Sequence, residues 1–297
     1  MLLLAVALAR ADDWPQWRGP KRDGHSKETG LLREWPKDGP RLIWQVKDLG
    51  GGYSTPSVAG GRIYVMANKG LEDEFVTARD AKDGSPLWAT RIGKVGNPDQ
   101  QPNYPAARST PTVDGAVLYA LGSDGDLACL ETATGKVRWR KSLRADFGGQ
   151  PGTWAYAESP LVDGDVLVCT PGGTQATVVA LNKKTGEAVW KCAVPGGARA
   201  GYASIVVADA GGVHAAFGWL HVALAQARGT KYPDEVAREY RELEAMPDLV
   251  ADAGKDQAVP PGARSLPGDV VLFDTFPSKS GPDHIGIVSD SERGGVL

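Results

Sequence analysis

Three stretches of this chain superimpose on one another: ARDAKDGSPLW, ACLETATGKVRW and VALNKKTGEAVW. Each places a glycine four residues before a closing tryptophan, pairing Gly84 with Trp88, Gly135 with Trp139 and Gly186 with Trp190, and successive tryptophans are 51 residues apart. A second landmark precedes each of them, in YSTPSVAGGRIYVM, RSTPTVDGAVLYAL and AESPLVDGDVLVCT. Here Pro56, Pro111 and Pro160 mark a strand entry, Gly60, Gly115 and Gly164 a hairpin turn, and an alternating apolar strand follows. A fixed period of this length, built of strands and turns, predicts a β-propeller with one four-stranded sheet per repeat. A lone blade cannot bury both faces of its sheet. Stacked neighbours do so, and packing between blades is therefore the expected role of Trp88, Trp139 and Trp190.

The repeat is incomplete at both ends. Trp44, in PRLIWQ, lies 44 residues before Trp88 and reads as the last strand of a blade whose beginning is missing or supplied from elsewhere. A fourth repeat opens at YASIVVADAGGV, and the pattern stops near Val213. Three blades and parts of two more fall short of the four to eight of closed propellers, so the stack is expected to be unstable, oligomeric or incomplete.

Composition agrees with short strands and tight turns: 38 glycines, 21 prolines and nine tryptophans against five phenylalanines in 297 residues. A net charge of -3 supplies no basic field for phosphates, so nucleic acid is not an expected partner. The N-terminus MLLLAVALARADD has an apolar run and an Ala9-Arg10-Ala11 cleavage pattern, which predicts a signal peptide over 1–11 and a periplasmic or secreted product. No membrane span is expected in the mature chain. Three cysteines, Cys129, Cys169 and Cys192, fit neither a disulfide framework nor a metal site and read as small core residues.

The segments TGKVRW and TGEAVW, with the opening DWPQWRGPKRDG from Asp13 to Gly24, resemble the pyrroloquinoline quinone-like (PQQ-like) propeller repeat over about residues 12–213. That resemblance implies the fold, and by family likeness alone it raises PQQ and calcium as cofactors. Quinone-dependent members hold both with acidic and amide side chains and many place two adjacent cysteines beside the ring, a pair this chain lacks. Other members bind no quinone, including the propeller lipoprotein of outer-membrane protein assembly, and act through rims and loops. The resemblance thus implies a protein or another envelope component as partner at the propeller loops.

From His214 the sequence changes character. HAAFGWLHVALAQARGT has Phe217, Leu220 and Leu224 at helical spacing, and PDEVAREYRELEAMPD predicts a second helix. PGDVVLF and HIGIVSD then read as two strands around a polar loop. This pair resembles the strand-loop-strand of NlpC-type and CHAP-like cell-wall cysteine peptidases, which implies His284 as the catalytic base and peptidoglycan as a possible partner of the tail. The nucleophile is absent: no cysteine follows Cys192, and Ser278, Ser280 and Ser289 form no arrangement that replaces it. His221, beside Leu220 and Leu224, reads as a partly buried structural histidine.

The expected organisation is a signal peptide (1–11), a leader (12–40), incomplete PQQ-like repeats (41–213) and an incomplete NlpC-like α+β segment (214–297), the chain joining parts of two genes. The fold class is mainly β, a partial propeller of about three four-stranded blades with fragments, followed by a small α+β segment. The leading functional reading is a non-catalytic binding or assembly scaffold of the cell envelope. The alternatives are a PQQ-dependent oxidoreductase fragment and an inactive cell-wall peptidase or amidase.

Overall fold

A computed structural model describes residues 12–210, apart from 32, 35, 38, 48, 100–105 and 194–197, and beyond them the strands at 213–218, 222–226, 270–273, 284–290 and 295–296. The expected signal peptide (1–11), His221, Ser278, Ser280 and the second predicted helix lie outside the described residues.

The first blade is the antiparallel sheet β1 (Ser57–Ala59), β2 (Arg62–Lys69), β3 (Asp73–Asp80) and β4 (Pro86–Lys94), in sequence order. The second repeats it with β5 (Thr112–Asp114), β6 (Val117–Leu121), β7 (Asp126–Glu131) and β8 (Val137–Ser142), followed by the short helix α1 (Leu143–Phe147). In the third, β9 (Leu161–Asp163) and β10 (Val166–Cys169) pair with β12 (Val178–Asn182) and β13 (Ala188–Cys192), while β11 (Gly172–Gly173) pairs with β14 (Ala198–Arg199). The first hairpin of each blade turns on Gly60, Gly115 or Gly164, all with positive φ, as the sequence predicts.

The period of two along each strand divides the blades' apolar residues between two interfaces. On β6, Leu118 and Ala120 pack with Tyr64, Met66 and Val76 of the first blade, whereas Tyr119 and Leu121 pack with Leu167, Val179 and Leu181 of the third. On β12 the same alternation sends Val178 and Ala180 toward Ile205 at the start of the next repeat. No blade therefore has a core of its own, and stability resides between neighbours.

The glycine-tryptophan motif fastens these interfaces. Trp88 donates its indole N–H to the carbonyl of Thr132 in the following blade at 3.0 Å, and Trp139 donates to Lys183 at 3.2 Å. The Tyr119 hydroxyl reaches the same Lys183 carbonyl at 2.9 Å. The ring then lies flat against the next turn. A Cβ on Gly135 would fall 2.5 Å from Trp88, and one on Gly186 would fall 2.9 Å from Trp139. Both glycines also have positive φ, 71° and 74°. Trp44 makes the same contact one step earlier, donating to Ala81 at 3.2 Å, with its ring 2.8 Å from a Cβ built on Gly84. It thus occupies the fourth-strand place of a preceding blade, as its spacing predicts, although residues 41–47 belong to no ladder.

The helix expected from His214 to Gly229 is not formed. Residues Val206–Ala210 (β15), Val213–Gly218 (β16) and Val222–Gln226 (β17) make a three-stranded antiparallel sheet in which Asp209 pairs with His214 and Phe217 with Ala223. The open edge of β15 presents unpaired backbone donors and acceptors, and satisfying them outweighs the helical spacing of the following apolar residues. The sheet runs without interruption across position 213/214. In the tail, β18 (Val270–Phe273) pairs with β19 (His284–Asp290), and β20 (Gly295–Val296) adds to β19, so the two predicted strands are present, while the loop expected between them lies outside the described residues. Among the described residues no helix is long and apolar enough to cross a membrane.

Candidate functional site: the axial mouth

The first strands of the blades, β1, β5 and β9, are neighbours around the propeller axis. The residues preceding them are repeat-equivalent: Tyr53, Arg108 and Ala157, with Tyr202 before the fourth repeat. Together with Trp154 these four positions line a cup of about 450 Å³. The Arg108 guanidinium lies over the Tyr53 ring at 5.0 Å and the Trp154 ring at 5.8 Å, a cation between two aromatic faces. Tyr53 is 58% exposed. Trp154 is presented by a turn whose Ala155 has φ 64°, a left-handed conformation unusual for alanine, and the Tyr202 hydroxyl accepts the Trp154 N–H at 3.2 Å.

Beneath the cup is a polar band. Ser54 Oγ donates to the Ser109 carbonyl at 2.7 Å, the Thr110 N–H donates to Ser159 Oγ at 2.9 Å, and the Ser159 N–H donates to Ser204 Oγ at 2.8 Å. Hydroxyls at two adjacent repeat positions, that of Ser54 and that shared by Ser159 and Ser204, thereby tie successive blades together. At the first of these positions two repeats carry Ser54 and Ser109, but the third carries Glu158 and the fourth Ala203. Ser54 Oγ accepts the N–H of Met66, twelve residues on, and Glu158 Oε1 accepts the N–H of Thr170 at the same separation. The longer acid does the work of a serine and leaves its second oxygen without a partner.

The charge facing Glu158 comes from the leader. Trp14 bridges to Val58 on β1, the Pro15 carbonyl accepts from Val113 on β5 at 2.8 Å, and Arg22 donates to the Ser159 and Pro160 carbonyls at 2.8 and 3.1 Å. The leader therefore stitches the inner ends of three blades. Burial lowers the Arg22 guanidinium to about 10 against the attraction of Glu158, and burial raises Glu158 to about 7 against its hydrogen bonds from Thr170 and the attraction of Arg22. Loss of solvation outweighs mutual attraction on both sides of the pair. A second buried acid, Glu74 on β3, is likewise pushed up to about 7 by burial and accepts the Ser123 N–H at 2.7 Å across the first blade interface. Beside the cup, Lys94, Asp99, Asp124, Arg144 and Arg199 line a wider cleft of about 870 Å³.

These residues do not fit a quinone-calcium centre. Calcium takes six to eight oxygen ligands from several carboxylates and carbonyls, whereas the axial acid is one carboxyl facing a buried arginine. Among the described residues no three His, Cys, Asp or Glu side chains gather for a metal. Cys129 and Cys169 are buried on separate blades, and burial holds their thiols up, at about 11 for Cys129 and well above the usual value for Cys169. Neither is poised as a nucleophile. His284 opens β19 opposite Phe273 and is not brought to the cup by any described pairing.

Sequence reading found the blades and missed the site. Arg108 and Glu158 were legible as departures from the repeat, an arginine where other repeats carry tyrosine or alanine and an acid where others carry serine or alanine. Arg22 gave no such signal, because its partners lie 137 and 138 residues away.

The sequence profile described as outer membrane protein assembly factor BamB, a PQQ-type repeat family, matches residues 26–97 and 72–229. The BamB of Moranella endobia is 32% identical over 121 residues, 39% of this chain and 30% of that protein. A shorter stretch of 54 residues is 65% identical to the glutamine–fructose-6-phosphate aminotransferase of Mycolicibacterium smegmatis, covering 18% of this chain and 9% of that enzyme. The crystal structure of BamB from Moraxella catarrhalis aligns with a TM-score of 0.44 at 20% identity over 64% of this chain and 53% of that one. The chain thus spans less than a third of the length of these two curated relatives. With more than half of its residues under the family profile and the same four-stranded blades in the fold, the chain belongs to the BamB-type family of PQQ-like propeller repeat proteins.

Proposed function

We propose that the chain is an exported, non-catalytic scaffold of the cell envelope that binds a protein partner at its axial mouth. The observation that carries this reading is the Tyr53–Arg108–Trp154–Tyr202 cup, an aromatic-lined cavity of a size that suits a side chain offered by the partner. Membership of a family described by an assembly factor supports the same reading. The quinone-dependent alternative is disfavoured by the donor set at the axis, and the peptidase alternative by the absence of any cysteine after Cys192. The family match stops at 229 and lends no support to peptidoglycan binding by the tail.

The test is a photo-crosslinking amino acid at Tyr53 in protein incubated with the host's envelope fraction. One discrete protein adduct is expected, reduced at least tenfold by Arg108→Glu. An adduct insensitive to Arg108→Glu, or none at all, overturns the proposal.

A composite origin of the chain is favoured by one further observation. A 54-residue stretch shares 65% identity with an aminotransferase, whereas similarity to the assembly factor stands at 32%. Long-read sequencing of the native locus across codons 200 to 220 and beyond both ends checks it. An uninterrupted propeller gene at that locus would show the joined chain to be an assembly artefact, and one continuous frame would show a true fusion.

A further inference from the structure

One buried carboxyl is tied to the segment that forms the wall of the cup. Glu74 on β3 is fully buried, and two glycines make room for it: it pairs with Gly93 on β4, and a Cβ on Gly122 would fall 3.0 Å from its Oε2. It accepts the Ser123 N–H at 2.7 Å and the Ser123 hydroxyl, both from the turn between β6 and β7 of the next blade. Ser123 in turn holds the segment that presents Trp154, and it does so on both sides. Its carbonyl accepts the Tyr156 N–H at 3.0 Å. Its Oγ accepts the Gly96 N–H at 2.8 Å, and the neighbouring Asn97 amide donates to the Thr153 carbonyl at 2.9 Å.

The charged groups around Glu74 give it no counter-ion. Asp126 on β7 and Asp124 in the turn are like charges, and the Asp126 carboxylate packs so closely over Gly93 that a Cβ there would collide with it. On β4, Arg91 pairs with Asp73 and Lys94 is exposed; on β8, Arg140 donates to the Arg91 and Ile92 carbonyls. Arg144 on α1 pairs with Asp124, and Lys69 on β2 lies over the Phe75 ring. Among the described residues no cation forms an ion pair with Glu74. Ionisation therefore leaves an unpaired charge in the blade interface, and local opening relieves it. We propose that Glu74 is a proton-operated latch of the cup: neutral, it holds the Ser123 turn and through it Trp154; ionised, it releases both. The use of this latch in partner binding rests on the cup being the binding mouth. The open state lets the carboxyl ionise at its ordinary value near 4.5, whereas burial in the closed state pushes it up to about 7, so closure is strongest below the first value and weakens as pH rises toward the second.

The experiment is amide hydrogen exchange of the full chain between pH 5 and pH 8, corrected for the intrinsic exchange rate. Protection of the Gly96, Ser123 and Tyr156 amides is expected to fall by at least about tenfold across that range. Glu74→Gln, which keeps an acceptor for the Ser123 N–H, is expected to abolish this fall while leaving unchanged any fall at the Thr170 amide, which donates to the other buried acid, Glu158. Asp126→Asn, which removes a like charge beside Glu74, is expected to reduce the fall and serves if Glu74→Gln does not fold. Protection independent of pH in the wild type, or a fall that survives either variant undiminished, overturns the latch. Photo-crosslinking at Tyr53 at the two pH values tests its coupling to the cup: the adduct is expected to weaken at pH 8 in the wild type and not in Glu74→Gln. An adduct of equal yield at both pH values, from a protein whose three amides have lost protection, overturns the coupling. Absence of an adduct at either pH refutes the binding mouth, and the exchange data still decide the latch.

Discussion

Replacing Gly135 with alanine separates two costs that the repeat imposes at one residue. The first is conformational: φ of 71° lies in the left-handed region, where a Cβ costs about 1–2 kcal/mol. The second is steric. The new methyl would fall 2.5 Å from Trp88 Cε3 and 2.7 Å from Thr90 Oγ1, so the indole must leave its seat. Overpacking of that kind costs about 1–3 kcal/mol, and loss of the indole bond to Thr132 adds about 1 kcal/mol. The sum is about 3–6 kcal/mol. Gly115→Ala is the control, because φ there is 59° but nothing lies within 4 Å of the added atom, leaving only about 1–2 kcal/mol. Urea unfolding followed by tryptophan emission is expected to show a loss at Gly135→Ala at least twice that at Gly115→Ala. Equal losses would refute the claim that the glycine exists to seat the preceding blade's tryptophan.

Other outcomes follow from the buried polar groups. Glu158 is raised from its ordinary value near 4.5 to about 7, so folding opposes its ionisation and stability falls as pH rises between those values. Glu158→Gln is expected to reduce the stability lost between pH 5 and pH 8 by about 2–3 kcal/mol, measured by urea titration at each pH; an unchanged pH slope would contradict the burial argument. Arg22→Ala removes the buried positive charge that attracts Glu158 and frees the Ser159 and Pro160 carbonyls, at a cost of about 3–5 kcal/mol. Limited proteolysis should then cut the leader first, and a leader as resistant as in wild type would contradict its role as a staple. In the native protein at pH 8, Cys129 and Cys169 should resist iodoacetamide until the chain is denatured, and rapid labelling of either would contradict their placement in the blade interfaces.

The blades were legible in the sequence because each repeat writes its own structure locally. The hairpin glycine, the alternating strand and the Gly-x-x-x-Trp turn all fall within one period, and Trp44 announced a fourth-strand position by the same rule. The region after Val213 was misread for the opposite reason. HAAFGWLHVALAQ has the spacing of a helix, and what makes its residues strands is the open edge of β15, a tertiary fact that local periodicity does not carry. The mouth was harder still. Tyr53, Arg108, Ala157 and Tyr202 are set apart by whole repeats and meet only when the inner strands are arranged about one axis, and Arg22 binds the carbonyls of Ser159 and Pro160, beside Glu158, from a leader that has no repeat at all.

The measurement that bears most directly on the account is a titration of the purified protein with PQQ and calcium, read as change in quinone absorbance and as dye-linked alcohol oxidation. A scaffold whose axial acid faces Arg22 and whose cup is built on Arg108 predicts no calcium-dependent quinone spectrum and no turnover. Quinone-dependent oxidation abolished by Glu158→Gln would contradict it and make the axial mouth a catalytic site.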